Sequence, residues 1–439
     1  MATETPCDLA IDARWVAAVV PFGQVLDCHS VIVDGGRIVD VIATADVEHR
    51  WQPVERVVRD QHLVIPGFVN ARTQAATTLF RGLADDLRTG APQRRRVSTL
   101  DRRWASAEMV RDGTRLAIAE MLAGGTTCFG DAYLFPDACA NAASELGVRC
   151  VAGLPFNDQP SPWARDANEH LTKAIEVHDA WMADPLISAR FVIDSLNGCS
   201  DASLRNLRTL ADELDVRVHV PFMDTREQLA ESQREYGATP LERLQASGLL
   251  NTGLSLAHAI QIGSEDLRII ATSGASVVHC PQSNAKLAAG IAPLRALCDA
   301  GVNVGLGTDG AASNNDLDML SEMHTASMLA RLREADPLAL TAHECLAMAT
   351  LGGARTLGLA QDVGSIERGK YADLVAIAFD EPACWPVHDP VSQLVFAAAR
   401  CDVADTWIAG QKRFSAGSYS RLDLNAVHSR TEEWRARLC

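Results

Sequence analysis

The sequence predicts an α/β protein: a (β/α)8 TIM-like barrel inserted into a small β-sandwich domain formed from both chain ends. Three observations predict it. Both ends alternate apolar and polar positions in short runs broken by glycine, the period-two texture of half-buried strands. Between them, short apolar runs alternate with long helical stretches over about 300 residues, the size range of an eight-fold barrel. At 439 residues, 47% hydrophobic and 22% charged, the chain can bury one large core and a smaller one, which sets aside disordered, collagen-like and mini-protein classes.

Residues 1–64 form the first part of the sandwich, where Gly35-Gly36 in SVIVDGGRIVDVIA reads as a hairpin turn between two strands. From VIPGFVN the texture changes, and 65–363 is assigned to the barrel, with strands in TTCFGD, GVRCVAGLPF, ISARFVID, LDVRVHVPF, GLSLAHAIQI, ASVVHCPQSN and VNVGLGTDG. After TLGGARTLGL the strand texture returns in SIERGKYADLVAIAF and DVADTWIAGQKRF, so 364–425 completes the sandwich and 426–439 is a polar terminal helix. No internal repeat or low-complexity linker interrupts this order.

Lys plus Arg number 40 against 56 Asp plus Glu, a net charge of -16 that repels nucleic acid and anionic membrane alike. The expected partner is a small-molecule substrate, with no nucleic acid and no membrane. The start, MATETPCDLAIDARW, has no basic segment leading into an apolar core, and no apolar run approaches the roughly 20 residues of a bilayer span, so the expected location is cytoplasmic. Twelve scattered cysteines without a C-x-x-C pair read as reduced, buried small hydrophobes.

In such a barrel, chemistry belongs at the C-terminal ends of the strands. Five places there carry it: Arg72 with Gln74, the run from His219 to Asp224, His258, the run from His279 to Asn284, and Asp309.

The segments PGFVNARTQ, RGLADDL, RDGTRLAIAEMLAGGTTCF, LADELDVRVH, HCPQSNAKLAAGIAP, AGVNVGLGTDGAASNNDLDM and GSIERGKYADLV resemble the amidohydrolase superfamily over nearly the whole chain. Within it they resemble the S-adenosylhomocysteine/methylthioadenosine deaminase and triazine-hydrolase branch. The resemblance implies one divalent metal held by a His-x-His, a further His and an Asp, with a Glu that moves protons. Here the His-x-His slot reads Arg72-Thr73-Gln74. A gapless reading puts Pro221 in the third His slot and Asp224 in the Glu slot; a two-residue shift would put His219 and Phe222 there instead. Asp309 is unchanged, and His258 matches a catalytic His of the family that does not bind the metal.

A guanidinium has no lone pair to donate and proline has no ligand atom, so the expectation is no metal and no cofactor. Asp309 without a dication would be a stranded buried carboxylate, and Arg72 is the expected compensation: a guanidinium at the vacated position, paired with Asp309. Metal ligation takes the pKa of water from 15.7 to about 7, worth ~12 kcal/mol of nucleophile activation that an arginine does not supply. The chemistry expected is therefore metal-independent acid/base work on a labile bond: hydrolysis of an activated C–N bond, elimination, isomerisation or cyclisation. The substrate expected is small and polar, heterocyclic or nucleoside-like, with anionic ones included.

Asp309 and Asp224 are the candidate bases, His258 the candidate acid/base or a satisfied structural histidine, and Arg72 the electrostatic stabiliser. Gln74, Arg81, Asp86, Asp194, His219, His279 and Asn284 are the candidate substrate-binding residues. Arg88, Arg94, Arg95, Arg96, Arg102 and Arg103 form a local cluster that reads either as an anion-binding lid or as a solvated helix or oligomer contact. Two other readings stand beside the first: a catalytically silent paralogue binding a ligand or partner, and a metal-dependent C–N hydrolase with a relocated site. A homodimer or higher homo-oligomer is expected.

Overall fold

A computed structural model describes residues 5–85 and 99–438. The two chain ends share one eight-stranded sheet. The N-terminal part supplies β1 (Thr5–Val16), β2 (Leu26–Asp34), β3 (Arg37–Ala43) and β4 (Trp51–Pro66). Gly35 and Gly36 join β2 to β3 with φ of 56° and 75°, the left-handed pair that a two-residue hairpin needs.

The barrel follows: β5 (Phe68–Gln74), β6 (Thr126–Asp131), β7 (Arg149–Phe156), β8 (Ile187–Ile193), β9 (Arg217–Phe222), β10 (Leu254–His258), β11 (Ser276–His279), β12 (Val304–Leu306) and β13 (Asp309–Gly310). The chain then returns to the first sheet with β14 (Leu374–Ala378), β15 (Val403–Ile408), β16 (Gln411–Ser415) and β17 (Ser418–Tyr419). The order of that sheet is β17-β16-β15-β14-β4-β1-β2-β3, so β4 is the seam between the two ends. Alternate residues bury Ile11, Val33, Val64, Leu374 and Trp407 on one face and Cys7, Ala10 and Ile32 on the other.

In the barrel each strand from β5 to β12 pairs in parallel with the next. The eighth staves are β12 and β13 together, separated by Gly307 and Thr308. The ring closes where β13 pairs with β5, Asp309 opposite Thr73 and Gly310 opposite Gln74. Asn70 pins this closure from within, donating Nδ2 to Thr308 Oγ1 at 2.8 Å and accepting the Thr308 amide at 3.1 Å. Residue 307 must be glycine-sized, because a Cβ there would lie 2.8 Å from the Arg72 amide nitrogen.

Val69, Cys128 and Val151, early in their strands, pack with Ala354, Leu357 and Val363, so the helix at Gly353–Leu357 plugs the N-terminal end of the barrel. The opposite end is the mouth. Outer helices bury their apolar stripes against the strands: Asp201–Glu213, capped by Ser200, buries Leu204, Leu207 and Ala211. The terminal helix Leu424–Leu438 lies on the helix at Ala107–Ala123, where Trp434 donates to Asp112 at 2.9 Å. Among the described residues no helix is long and apolar enough to cross a membrane.

Candidate active site

Arg72 stands on β5 at an irregularity, since the register with β6 shifts between Asn70 and Thr73. Its side chain is buried, and its Nε donates to Asp309 Oδ1 at 3.2 Å. Its Nη1 lies 2.8 Å from His219 Nε2. A guanidinium only donates, so Nε2 is the acceptor and the imidazole proton sits on Nδ1, which reaches Ser255 Oγ at 2.8 Å. The hydroxyl of Ser255 passes the chain on to the Val218 carbonyl at 3.3 Å. His219 is thus fixed as a neutral imidazole between a donor and an acceptor.

The second oxygen of Asp309 accepts from the hydroxyls of Ser283 and Ser313, each at 2.9 Å. Burial alone would raise this carboxyl; Arg72, His258 and the two hydroxyls outweigh it and hold it at about 2. Arg72 is raised for the matching reason, the Asp309 charge overcoming desolvation. His219 is held well below the usual histidine range, first by burial and then by the charges of Arg190 and Arg72. His279, the last residue of β11, is lowered to about 3 by burial and by His258.

His258 ends β10 with φ of 71°, and Ala259 and Met223 beside it have φ of 47° and 48°. Asp309 has φ of 60°. Four left-handed non-glycine residues at the strand ends mark a mouth whose backbone is held in costly conformations. Asn284 Oδ1 takes a hydrogen bond from His258 Nδ1 at 2.9 Å, and Nε2 of the imidazole has no partner among the described residues. Asp224 Oδ1, Asn284 Nδ2 and His279 Nδ1 are also buried without a partner among the described residues.

The structure therefore brings Arg72, His219, His258, His279, Asn284 and Asp309 into one contiguous set, with Asp224 at its edge. Gln74 ends β5 over Gly310, its Oε1 2.8 Å from where a Cβ of that glycine would stand. Asp194 follows β8 as an exposed residue whose carboxyl is raised by desolvation while the Arg72 charge pulls it down. Arg81 is not brought to the set but paired with Glu120. Asp86 and Arg88, Arg94, Arg95 and Arg96 lie outside the described residues. Arg102 and Arg103 are described, and the guanidinium of Arg103 lies 5.0 Å from the Trp104 ring centroid.

Several residues escaped the sequence reading. Ser255 lies in a strand whose spacing advertises nothing, whereas Ser283 falls inside the His279 to Asn284 run and Ser313 inside the segment GTDGAASNND that the resemblance retains, neither of them singled out as a hydrogen-bond partner of Asp309. Arg190 sits in ISARFVI, which reads as an ordinary strand, yet its guanidinium is inside the barrel and is 1% exposed. Pro221 and His219 share the inward face of β9, in register with Ala257 and Ser255, so the imidazole that reaches the site is two residues before the slot of the gapless reading.

A divalent metal does not fit this donor set. Among the described residues no group of three or more His, Cys, Asp or Glu side chains is placed to hold one. The two best donors are already committed, His219 Nε2 and Asp309 Oδ1 to Arg72, and the remaining Asp309 oxygen to two hydroxyls.

A model of the amidohydrolase family matches residues 63–413. A 5-methylthioadenosine/S-adenosylhomocysteine deaminase of Teredinibacter turnerae is 38% identical over 438 residues, covering 100% of this chain and 99% of the relative. One from Saccharophagus degradans is 35% identical, covering 100% and 98%. The crystal structure of an adenosine deaminase from Xanthomonas campestris, with bound zinc, superposes with a TM-score of 0.97 at 42% identity, covering 99% of both chains. An atrazine chlorohydrolase from Arthrobacter aurescens complexed with zinc, 23% identical with a TM-score of 0.90 over 97% of this chain and 99% of its own, shares the fold.

Proposed function

Because this chain belongs to the amidohydrolase family, we propose that it is an enzyme on that scaffold which works without a catalytic metal, with Arg72 as the fixed cation of the site. One observation carries the reading: the guanidinium bonds both Asp309 and His219, the two side chains best suited to ligate an ion. Asp309, held at about 2, is a weak base near neutrality, and its part is to anchor Arg72. Proton exchange falls to Asp224, whose Oδ1 lacks a partner among the described residues, and to His258, whose Nδ1 is committed to Asn284 and whose Nε2 is not. Arg72 then stabilises negative charge that develops on the substrate.

The reaction is acid/base chemistry on an activated bond of a small polar heterocycle or nucleoside: C–N hydrolysis, elimination, isomerisation or cyclisation. Water activation of the order of 12 kcal/mol is not available from this set, which disfavours an unactivated aromatic amine. The deciding experiment combines metal analysis of purified protein with turnover on methylthioadenosine, S-adenosylhomocysteine, adenosine and activated heterocyclic amines. Activity that survives chelation, and falls in Arg72→Ala far more in turnover than in binding, supports the proposal.

A second reading is favoured by the 38% and 42% identities over the full chain to proteins named deaminases. On it the chain deaminates adenosine-type substrates with a metal. Stoichiometric zinc or iron together with ammonia release from one of these nucleosides would establish that reading and end the first.

A further inference from the structure

Arg190 lies midway along β8 and faces the barrel interior. Its Nη2 donates to the Gly130 carbonyl at 3.2 Å. An ideal Cβ on Gly130 would lie 2.8 Å from that nitrogen, so the seat exists because residue 130 has no side chain. The other two nitrogens, Nε and Nη1, are buried and make no hydrogen bond among the described residues. Arg72 and His219 are close enough to feel its charge.

The two guanidiniums are unequally compensated. Arg72 has the Asp309 carboxylate at 3.2 Å. Among the described residues no carboxylate pairs with Arg190; the nearest in effect is the more distant Asp131, whose Oδ1 accepts the Ala75 amide at 2.9 Å and whose carboxyl is raised to about 6, chiefly by desolvation. Arg190 therefore carries two deficits on one side chain, an unpaired charge and two unsatisfied donors. An arginine does not shed its proton to escape them. A buried water would satisfy the donors and leave the charge. Asp131 offsets part of the charge and leaves the donors. A bound anion removes both deficits at once.

We propose that Arg190 anchors an internal anion site on the barrel wall beneath Arg72, and that its occupant is a small free inorganic monoanion of halide type. The enclosure selects compact size, since neither unpartnered nitrogen reaches solvent. An anion there screens Arg72 from Arg190, so occupancy of this site steadies the guanidinium that faces the mouth.

The test uses bromide as the probe on the intact protein. Crystals grown in sodium bromide should show an anomalous peak within hydrogen-bonding distance of Arg190 Nε and Nη1. In solution at fixed ionic strength, the melting temperature should rise saturably as bromide or chloride replaces gluconate. Arg190→Met, a swap of a buried charge for an apolar chain that folds commonly tolerate, should remove that response. If the variant does not fold, the peak and the wild-type titration decide together. An ordered water at the position, an empty position, a halide response unchanged in Arg190→Met, or a peak without a saturable response in solution (an adventitious ion only) would each overturn the proposal.

Discussion

Replacing Arg72 with methionine removes the cation and leaves Asp309 in place, with its side chain 8% exposed. At 3.2 Å the pair's Coulomb energy is about 5 kcal/mol at an effective dielectric of about 20. Stranding one partner of a buried pair costs roughly 3–5 kcal/mol, against total stabilities of about 5–15 kcal/mol. The variant is therefore expected to lose about 3–5 kcal/mol at pH 7. A proton can take over from the guanidinium, because without Arg72 the carboxyl rises from about 2. Once it titrates in the accessible range, each unit of acidification returns about 1.4 kcal/mol of the loss. Removing both charges, in Arg72→Met with Asp309→Asn, should restore most of the stability, since neither buried charge is then unpaired. Equilibrium urea unfolding at pH 7 and pH 5 on the wild type, both single variants and the double variant reads all of this. A single variant within about 1 kcal/mol of the wild type at pH 7, or single effects that merely add in the double, would refute the reasoning.

Installing His-x-His, as Arg72→His with Gln74→His, frees His219 Nε2 and Asp309 and supplies two new imidazoles; stoichiometric zinc by elemental analysis is expected, and a variant that stays metal-free in excess zinc would count against the geometry. His279, held at about 3 against an ordinary value near 6.5, refuses a proton that the unfolded chain accepts, so its stability contribution is complete above pH 6.5 and declines as the pH falls toward 3. At pH 5 the loss is about 2 kcal/mol, His279→Gln should flatten that stretch of the stability profile, and an unchanged profile would show that another group dominates. Asp309 contributes in a lower window, present above about 4 and lost toward 2. Gly130→Ala puts a methyl 2.8 Å from Arg190 Nη2 and 2.7 Å from Leu357 Cδ2, an overpacking worth about 1–3 kcal/mol that thermal unfolding should register as a lowered midpoint.

The fold was legible because its punctuation is local. Gly35-Gly36, the β/α alternation and the return of period-two texture each act through a few neighbouring residues, and the barrel and end-built sheet follow from them. The pairing of Arg72 with Asp309 was legible once the resemblance marked the slot of a dication, since a retained buried carboxylate without that dication needs a cation. What stayed hidden was anything decided across strands. Arg190 looks outward-facing in ISARFVI, and only its register with Gly153 and its approach to Gly130 show an interior position. His219 needed the pleat to be known before its side chain could be aimed at Arg72. The serine hydroxyls on Asp309 come from the short helix after β11 and from the turn after β13, and no spacing in one strand of text brings them together.

The placement of β4 as a seam has a consequence for biosynthesis. Its partner β14 begins at Leu374, 308 positions after β4 ends at Pro66. At about 5–20 residues per second a ribosome needs roughly 15–60 s to deliver that partner, and throughout that time the β4 edge, with Val64 and Ile65 along it, is an open template for other strands. The nascent chain thus passes through a stage in which its barrel can condense while its first sheet is half built, and shielding that edge is the task a chaperone would have to perform.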